Sequence, residues 1–593
     1  MEHTAQTESP SATSGTNHDA LYLDTIDPHG TSLPQAGLPQ GSALAPILFL
    51  FFNADLVQSV PRNGGSMVYV DDYSAWIIGP TARENTRVIQ NEIIPMLEKW
   101  ERTSSTVFEA DKTSFVHITR YKEVGRDSDI PLRFKGKPIA PQKEVKILGV
   151  ELDQGLRFKA HLGKKAGKAT KVALALHRLK GLSPRSVKQL TVSSVLPIAD
   201  YASPIWYPVA EQKIVQLLGQ AQRITAQAVI RGFRTVARSI AEAEAGLVPL
   251  EQRLRNQAIA FWVSIHKLDQ SHPHWILRRR RAVKRYRSPL QKTALMCQGV
   301  PVDGMLEVKA FACPPWVAKP EVVICKDIEH AQAIVEDRKP GQVDIFTDAS
   351  VRNGRAGIGL YNLPLKITVS RTVANSTQAD AHLTELLAIS DAANWPWSPA
   401  YRSYTEDGRV VPTSKIRIFS DAQSALQSIS SWRASACQAV VTEIIKKLRT
   451  SNVTLYWVPG HSGVKGNEEA NKLAKLATRQ ESAEAPQRSG RPWYLVTQAL
   501  KKAGVTAVTA PLRTSSTGRF TRKIDGALHL GKAAELYRQL SSSEAAILAQ
   551  LRTGKSFLNE YLYKINAVDT AACACGRLET TAHFLFSCRR WTQ

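Results

Sequence analysis

Two acidic residues side by side, Asp71-Asp72, stand between the apolar runs Ser66-Met67-Val68 and Ala75-Trp76-Ile77-Ile78. The pattern predicts a β-hairpin with the acidic pair at its tip. Two anions at one bend repel each other, and a divalent cation with hard oxygen ligands relieves that repulsion. Ordinary turn chemistry is the alternative, since Asp favours turns on its own. A second acidic set lies far downstream. Val343-Asp344-Ile345-Phe346-Thr347-Asp348 and Ile416-Arg417-Ile418-Phe419-Ser420-Asp421 are short apolar strands, each ending in Asp. Carboxyl ends of strands are where active sites of open α/β sheets gather. A third set reads Cys573, Cys575, His583 and Cys588, in the spacing C-x-C-x7-H-x4-C. Three cysteines and a histidine make a closed tetrahedral zinc set; scattered cysteines in a reducing cell are the bland alternative.

Elements able to hold these residues follow from the patterning. Before the hairpin, Gln35-Ala36-Gly37-Leu38-Pro39-Gln40-Gly41-Ser42 is a Gly/Pro loop leading into an apolar helix, Ala45 to Leu56. Helices are expected over His161–Lys180 and Pro184–Tyr201, with Val172, Leu174, Leu176 and Leu179 as core and Lys164, Lys165, Lys168 and Lys171 facing outward. Around the second acidic set the expected order is β-β-β-α-β-α-α-β-α, a mixed sheet flanked by helices. Its first helix runs from about Ala379 to Asn394, another begins at Gln423, and the last begins near Gly466. Residues 270–340 are basic, then Pro-rich, and residues 480–520 are low in apolar content, so both are expected to be linkers.

Net charge narrows the partners. The 593 residues carry 77 Lys+Arg against 52 Asp+Glu, a net charge of +25. That excess suits a polyanion, nucleic acid first, with solubility as the alternative. Arg278-Arg279-Arg280-Arg281 opens a basic block with Lys284, Arg285 and Arg287; a nuclear address and phosphate binding are both open. The longest apolar run, Ala43 to Phe52, contains Pro46 and is too short to span a bilayer. No signal peptide or transmembrane segment is expected, and seven cysteines in this length do not make a disulfide framework. Nucleus or cytoplasm is the expected compartment.

The loop at 35–42 and the Tyr69-Val70-Asp71-Asp72 segment together resemble the palm of a non-LTR retrotransposon reverse transcriptase. The resemblance implies nucleic-acid contacts for Gln40 and Gly41, and Mg2+ at Asp71 and Asp72. It also implies a triphosphate neighbour in Lys112, within Phe108-Glu109-Ala110-Asp111-Lys112-Thr113, and a primer-gripping strand at Lys146–Val150. In that family a third carboxylate comes from an upstream Asp-x-x-x-Ala-Phe-Asp strand. Residues 1–32 lack the pattern, holding only Asp24 and Asp27. The expectation is therefore a chain that starts in mid-palm and does not polymerise DNA alone.

Residues 340–480 resemble type 1 ribonuclease H. The resemblance implies a catalytic role for Asp348, for Glu385 in Thr384-Glu385-Leu386-Leu387, for Asp421 in Ser420-Asp421-Ala422-Gln423, and for His461, which opens His461-Ser462-Gly463-Val464-Lys465-Gly466-Asn467-Glu468-Glu469-Ala470-Asn471. The family ends that last motif with Asp where this chain has Asn471; an amide oxygen still ligates, without the charge. Taken singly, Glu385 reads as a solvated helix residue, Asp421 as a helix N-cap and His461 as a loop cap. Implied cofactors are Mg2+ or Mn2+, with Zn2+ on a terminal knuckle. Implied partners are RNA, DNA and the RNA–DNA hybrid.

The expected fold class is therefore α/β multidomain: a partial α+β palm and helical thumb, then a ribonuclease H-like mixed sheet flanked by helices. Expected boundaries are a disordered leader 1–19, palm 20–155, thumb or connection 156–270, linker 271–340, ribonuclease H 341–480, linker or helical segment 481–540 and knuckle segment 541–593. The function expected is metal-dependent cleavage of RNA in hybrids. The alternatives are a catalytically dead nucleic-acid-binding relic and a fragment of a full polymerase.

Overall fold

The structure, a computed structural model, describes residues 41–58, 63–104, 106–119, 129–272, 274–275, 287–298, 304–309, 316–363, 365–394, 403–406, 409–431, 436–449, 452–479, 490–514, 516–526 and 532–591. Gln40, the leader 1–19 and Arg278–Arg281 lie outside the described residues. The chain divides into two units, one of residues 1–172 with 209–221, the other of 173–208 with 222–593.

In the first unit, strands Gly64–Tyr69 and Asp72–Ile77 pair antiparallel, with Tyr69 opposite Asp72. The turn is forced through Val70 at φ 55°, and the Asn53 side chain holds it by donating to the Val70 carbonyl at 3.1 Å. Asn53 also divides the expected Ala45–Leu56 helix into Ala45–Phe52 and Ala54–Gln58. The expected single strand at Lys146–Val150 is instead a hairpin, Glu144–Ile147 against Val150–Asp153. Leu148 and Gly149 both take positive φ, 46° and 76°, as a two-residue turn with right-handed strand twist requires.

Helix Lys159–Arg178 also departs from the sequence expectation. Leu162, Ala166, Ala169, Ala173 and Leu176 form its buried stripe, whereas Leu174 and Leu179 are 43% and 46% exposed. The 3.6-residue period passes through the alanines; Leu174 falls off it, and Leu179 lies beyond the helix end. Lys164, expected to face outward, is exposed and pairs with Glu151 at 3.1 Å.

The second unit is built around a six-stranded sheet. Its strands and helices, in chain order, are β1 Val322–Ile324, α1 Ile328–Glu336, β2 Gln342–Arg352, β3 Arg355–Leu363, β4 Thr368–Asn375, α2 Ala381–Ala392, the hairpin β5 Ser403–Glu406 and β6 Arg409–Pro412, β7 Lys415–Ser420, α3 Gln423–Ser431, α4 Gln438–Leu448, β8 Val453–Trp457 and α5 Lys465–Ala477. The sheet order is β4-β3-β2-β7-β8-β1. β2, β3 and β4 are antiparallel; β7 runs parallel to β2 and β8, and β8 parallel to β1. Two elements at 322–336 thus belong to the sheet and its cover, where a linker was expected. Val322-Val323-Ile324 is β-branched, and Asp327 caps α1 by accepting from the His330 N–H at 2.7 Å.

Both faces of the sheet are covered. On one, Ile345, Ile358, Leu360 and Ile418 pack with Leu386 and Ile389 of α2 and Ile444 of α4; each such side chain stabilises the fold by about 1.5–3 kcal/mol. On the other, the in-register rings of Phe346, Phe419 and Tyr456 stack with centroids 4.8 and 5.1 Å apart. There α5 lies so close that a Cβ on Gly466 would stand 2.3 Å from the Phe346 ring, and one on Gly359 2.1 Å from the Ala470 carbonyl oxygen. A buried ion pair ties β2 to β7: the Arg417 guanidinium donates to both Asp344 oxygens at 2.7 Å, and to the Ile334 carbonyl of α1.

The segment 481–540, expected to be linker or helical, is largely helical where it is described. Trp493–Thr514 is one helix, and its Val496 and Leu500 pack on Ile259 and Val263 of helix Leu250–His266. The terminal residues dock on helix Arg238–Ala245 through one fully buried carboxylate. Glu244 accepts from Arg552 at 2.7 and 3.0 Å and from the Tyr537 hydroxyl at 2.9 Å.

Candidate active site

Asp348 sits on β2, one residue past the Thr347–Ser420 pair at which β7 ends. Past that pair β2 runs on with no strand on its β7 side, and Asp421, the first residue after β7, turns into the same opening. Glu385 comes from the second turn of α2, a helix started by Asp380, whose carboxylate accepts the Leu383 N–H at 3.0 Å. Carboxylate oxygens of Asp348, Glu385 and Asp421 all lie within 4.8 Å of one another. Three residues spread over 74 positions of sequence meet because β7 stops beside the middle of β2 and one helix crosses them.

Two of the three carboxylate residues are held by hydrogen bonds. Asp348 accepts the Ala349 N–H at 2.7 Å. The Trp457 indole donates to the Asp421 backbone carbonyl at 2.9 Å, and the Asn467 amide reaches the Asp421 side chain at 3.4 Å. A Cβ on Gly460 would stand 2.8 Å from that carboxylate, so the loop before His461 closes directly over it.

Crowding has an electrostatic signature. Burial first, then the charge of Asp421, pushes the Asp348 carboxyl up to about 6, against the pull of the Ala349 N–H, Lys475 and His461. Burial, then the charges of Asp348 and Asp421, holds Glu385 well above the usual carboxylate range. Glu385 Oε2 and Asn467 Oδ1 are buried oxygens with no hydrogen-bond partner. Buried acceptors without donors, beside a concentration of negative charge, fit a hard divalent cation.

The remaining residues of this motif follow the helix. His461 is exposed at φ 55°, at the lip of the opening. Asn471 is half-buried on α5, one turn after Asn467. Asn467, only 2% exposed, was not singled out from sequence; its position four residues before Asn471, on one helix face, was the available signal.

Asp71 and Asp72 differ. Both are exposed on their hairpin, and among the described residues neither joins a group of three metal-ligating side chains. Lys112 is exposed and pairs with Glu109 at 3.2 Å, and Gly41 is exposed at φ 92°.

At the carboxyl end, Cys573, Cys575, His583 and Cys588 converge, their ligand atoms within 4.8 Å of one another. Cys573 and Cys588 sulfurs are 3.7 Å apart, and Cys575 Sγ is 3.1 Å from His583 Nε2. Gly576, at φ 84°, makes the tight turn after the first two cysteines, and Thr580 caps the short helix that presents His583. The backbone N–H of Arg577 holds the Cys575 thiol below its usual range. The cluster is compatible with zinc.

Residues 340–479, which carry the three carboxylates, match the model for RNase H. Residues 5–152 match the model for reverse transcriptase (RNA-dependent DNA polymerase). The chain therefore joins a segment that matches the reverse transcriptase model to one that matches the RNase H model. It is similar to a 115 kDa protein in type-1 retrotransposable element R1DM of Drosophila melanogaster, 25% identical over 234 residues, 38% of this chain and 22% of the relative. It is also similar to the retrovirus-related Pol polyprotein from type-1 retrotransposable element R1 of Bradysia coprophila, 23% identical over 206 residues, 34% of this chain and 20% of the relative. The chain thus spans about a fifth of the length of these curated relatives. Among solved structures, RNase H1 from the halophilic archaeon Halobacterium salinarum NRC-1 is 16% identical, covering 23% of this chain and 96% of that one, with a TM-score of 0.18. Among the described residues, no helix is long and apolar enough to cross a membrane.

Proposed function

We propose that residues 340–479 cleave the RNA strand of RNA–DNA hybrids with a divalent metal, Mg2+ or Mn2+. The observation that carries this reading is the convergence of Asp348, Glu385 and Asp421 with Glu385 Oε2 unpartnered. These three carboxylates would hold the metal, and when bound it would supply a Lewis acid and a water-derived nucleophile at neutral pH. The protein's own residues do the positioning. The Ala349 N–H fixes the Asp348 carboxylate, while Trp457 and Asn467 fix Asp421 from two sides. His461, at the lip, is placed to exchange a proton with solvent.

The test is cleavage of a labelled hybrid by the full chain with Mg2+ or Mn2+, expected to spare double-stranded DNA. Absence of cleavage at every metal concentration would favour the second reading, a nucleic-acid-binding relic. The observation on that side is Asn471, which leaves the site one carboxylate short of its family. RNA, DNA and their hybrid are the proposed partners, with the +25 charge as the attraction. Zinc on Cys573, Cys575, His583 and Cys588 is proposed as structural, since a closed set of four protein ligands leaves no position for a substrate.

A further inference from the structure

Asp348 belongs to the face of β2 that α5 covers. Side chains alternate along a strand, and Phe346, two residues earlier, packs with Val464 and Ala470 at and beyond the start of α5. Asp348 is paired with Gly359 of β3, and it is on Gly359 that the Ala470–Ala474 stretch of α5 rests. The helix therefore crosses the sheet at the level of the carboxylates. Asn467, Asn471 and Lys475 are spaced i, i+4 and i+8, so they form one line along α5. One end of that line, Asn467, touches Asp421. At the other end, Lys475 is half-buried, and its charge acts on Asp348.

We propose that Lys475 is a positioning residue that acts as a built-in counter-charge: with asparagine at 471, its ammonium supplies part of the positive charge that a second divalent ion would bring, so the site holds one metal ion. This inference rests on the reading of the three carboxylates as a metal site. The charge balance supports it. Three carboxylates attract divalent ions, an amide at 471 adds a ligand without charge, and a fixed cation further along the same helix line repels any ion approaching that side. Coulomb energy scales with the product of the charges, so a divalent ion feels the ammonium twice as strongly as a monovalent ion does.

The experiment counts bound Mn2+ by electron paramagnetic resonance on the zinc-loaded full chain, with Asp348→Asn as the reference that removes the carboxylate site. One ion is expected for the parent above that reference. Lys475→Met should tighten Mn2+ binding about tenfold, the order of effect for one nearby unit charge on a divalent ion. Lys475→Arg should restore parental affinity, which a purely packing role would not require. The double variant Asn471→Asp, Lys475→Met should hold two ions. Unchanged affinity and stoichiometry in Lys475→Met, or two ions in the parent, would overturn the inference while leaving the metal site standing. A count that Asp348→Asn does not lower would instead remove the metal site itself, and this inference with it.

Discussion

Asp71 and Asp72 stand exposed at one hairpin turn, whereas Asp348, Glu385 and Asp421 arrive from the middle of one strand, a helix and the end of a second strand and meet in a half-buried opening. The first pair is adjacent in sequence and exposed, so water screens its mutual repulsion, and among the described residues no third metal-ligating side chain joins it. The second set is forced together by a sheet with a large apolar core on one side and a ring stack on the other. There water is thinned, charge repulsion strengthens, and proton affinities rise. Proximity in sequence leaves two charges in solvent; convergence from separate elements, held at fixed distances by packing, crowds three of them together.

The widest separation between the two regions should appear in catalysis. Asp348→Asn is expected to lower hybrid cleavage on the order of a thousandfold, the scale of a lost metal-placed charge in the transition state. Asp71→Ala should leave that rate unchanged. Single-turnover kinetics on a labelled hybrid read both, and equal effects would erase the contrast.

Loss of the terminal metal comes next. Cys575→Ser is expected to lose one zinc per chain together with ordered structure around 573–588, because so short a segment has little core of its own. The sheet should remain folded. Metal analysis beside limited proteolysis checks both halves; protein purified without chelator and free of zinc would remove the site.

A smaller effect is expected in stability against pH. Asp348 titrates near 6 in the folded chain, above its ordinary value of 3.8, and Glu385 is raised as well. The folded state then holds more protons than the unfolded one between about pH 4 and 6, so their contribution to stability falls as pH rises through that window. A divalent ion answers the exposed charge, so Mg2+ should raise the melting temperature more at pH 7.5 than at pH 5. Thermal scans at the two pH values, with and without Mg2+, measure it. An equal Mg2+ effect at both would mean that the carboxylates are not where the ion binds.

The smallest expected change is at Asn471. Asn471→Asp should lower the Mg2+ needed for half-maximal cleavage, by about threefold to tenfold if one added charge acts on the ion at partly exposed distance. A metal dependence that does not move would take position 471 out of the ligand set.

Local pattern was enough for several elements. The apolar runs around Asp71-Asp72, the strand that ends before Asp421 and the helix carrying Glu385 follow from alternation and periodicity within a few residues, whereas the strand expected to end at Asp348 runs on to Arg352 because β3 pairs with it that far. Elements held by distant partners were not legible. Val322–Ile324 is a strand because β8 offers it an edge, and Trp493–Thr514 is stabilised where Val496 and Leu500 find helix Leu250–His266. In a Pro-rich or apolar-poor stretch such support lies outside the local window.

The sequence by itself determined the residue types: three carboxylates in or beside two apolar strand segments and a helix, an asparagine where the resemblance implies a fourth acid, and three cysteines with a histidine at knuckle spacing. Tertiary structure alone decided which charges share a space. It brought Asn467 onto Asp421, left Glu385 Oε2 unpartnered, laid Lys475 along the helix that covers Asp348, and buried Glu244 against Arg552. Patterning is set by what each residue does with its neighbours in the chain. Electrostatics is set by distance and burial, and those exist only once the sheet has closed over its core.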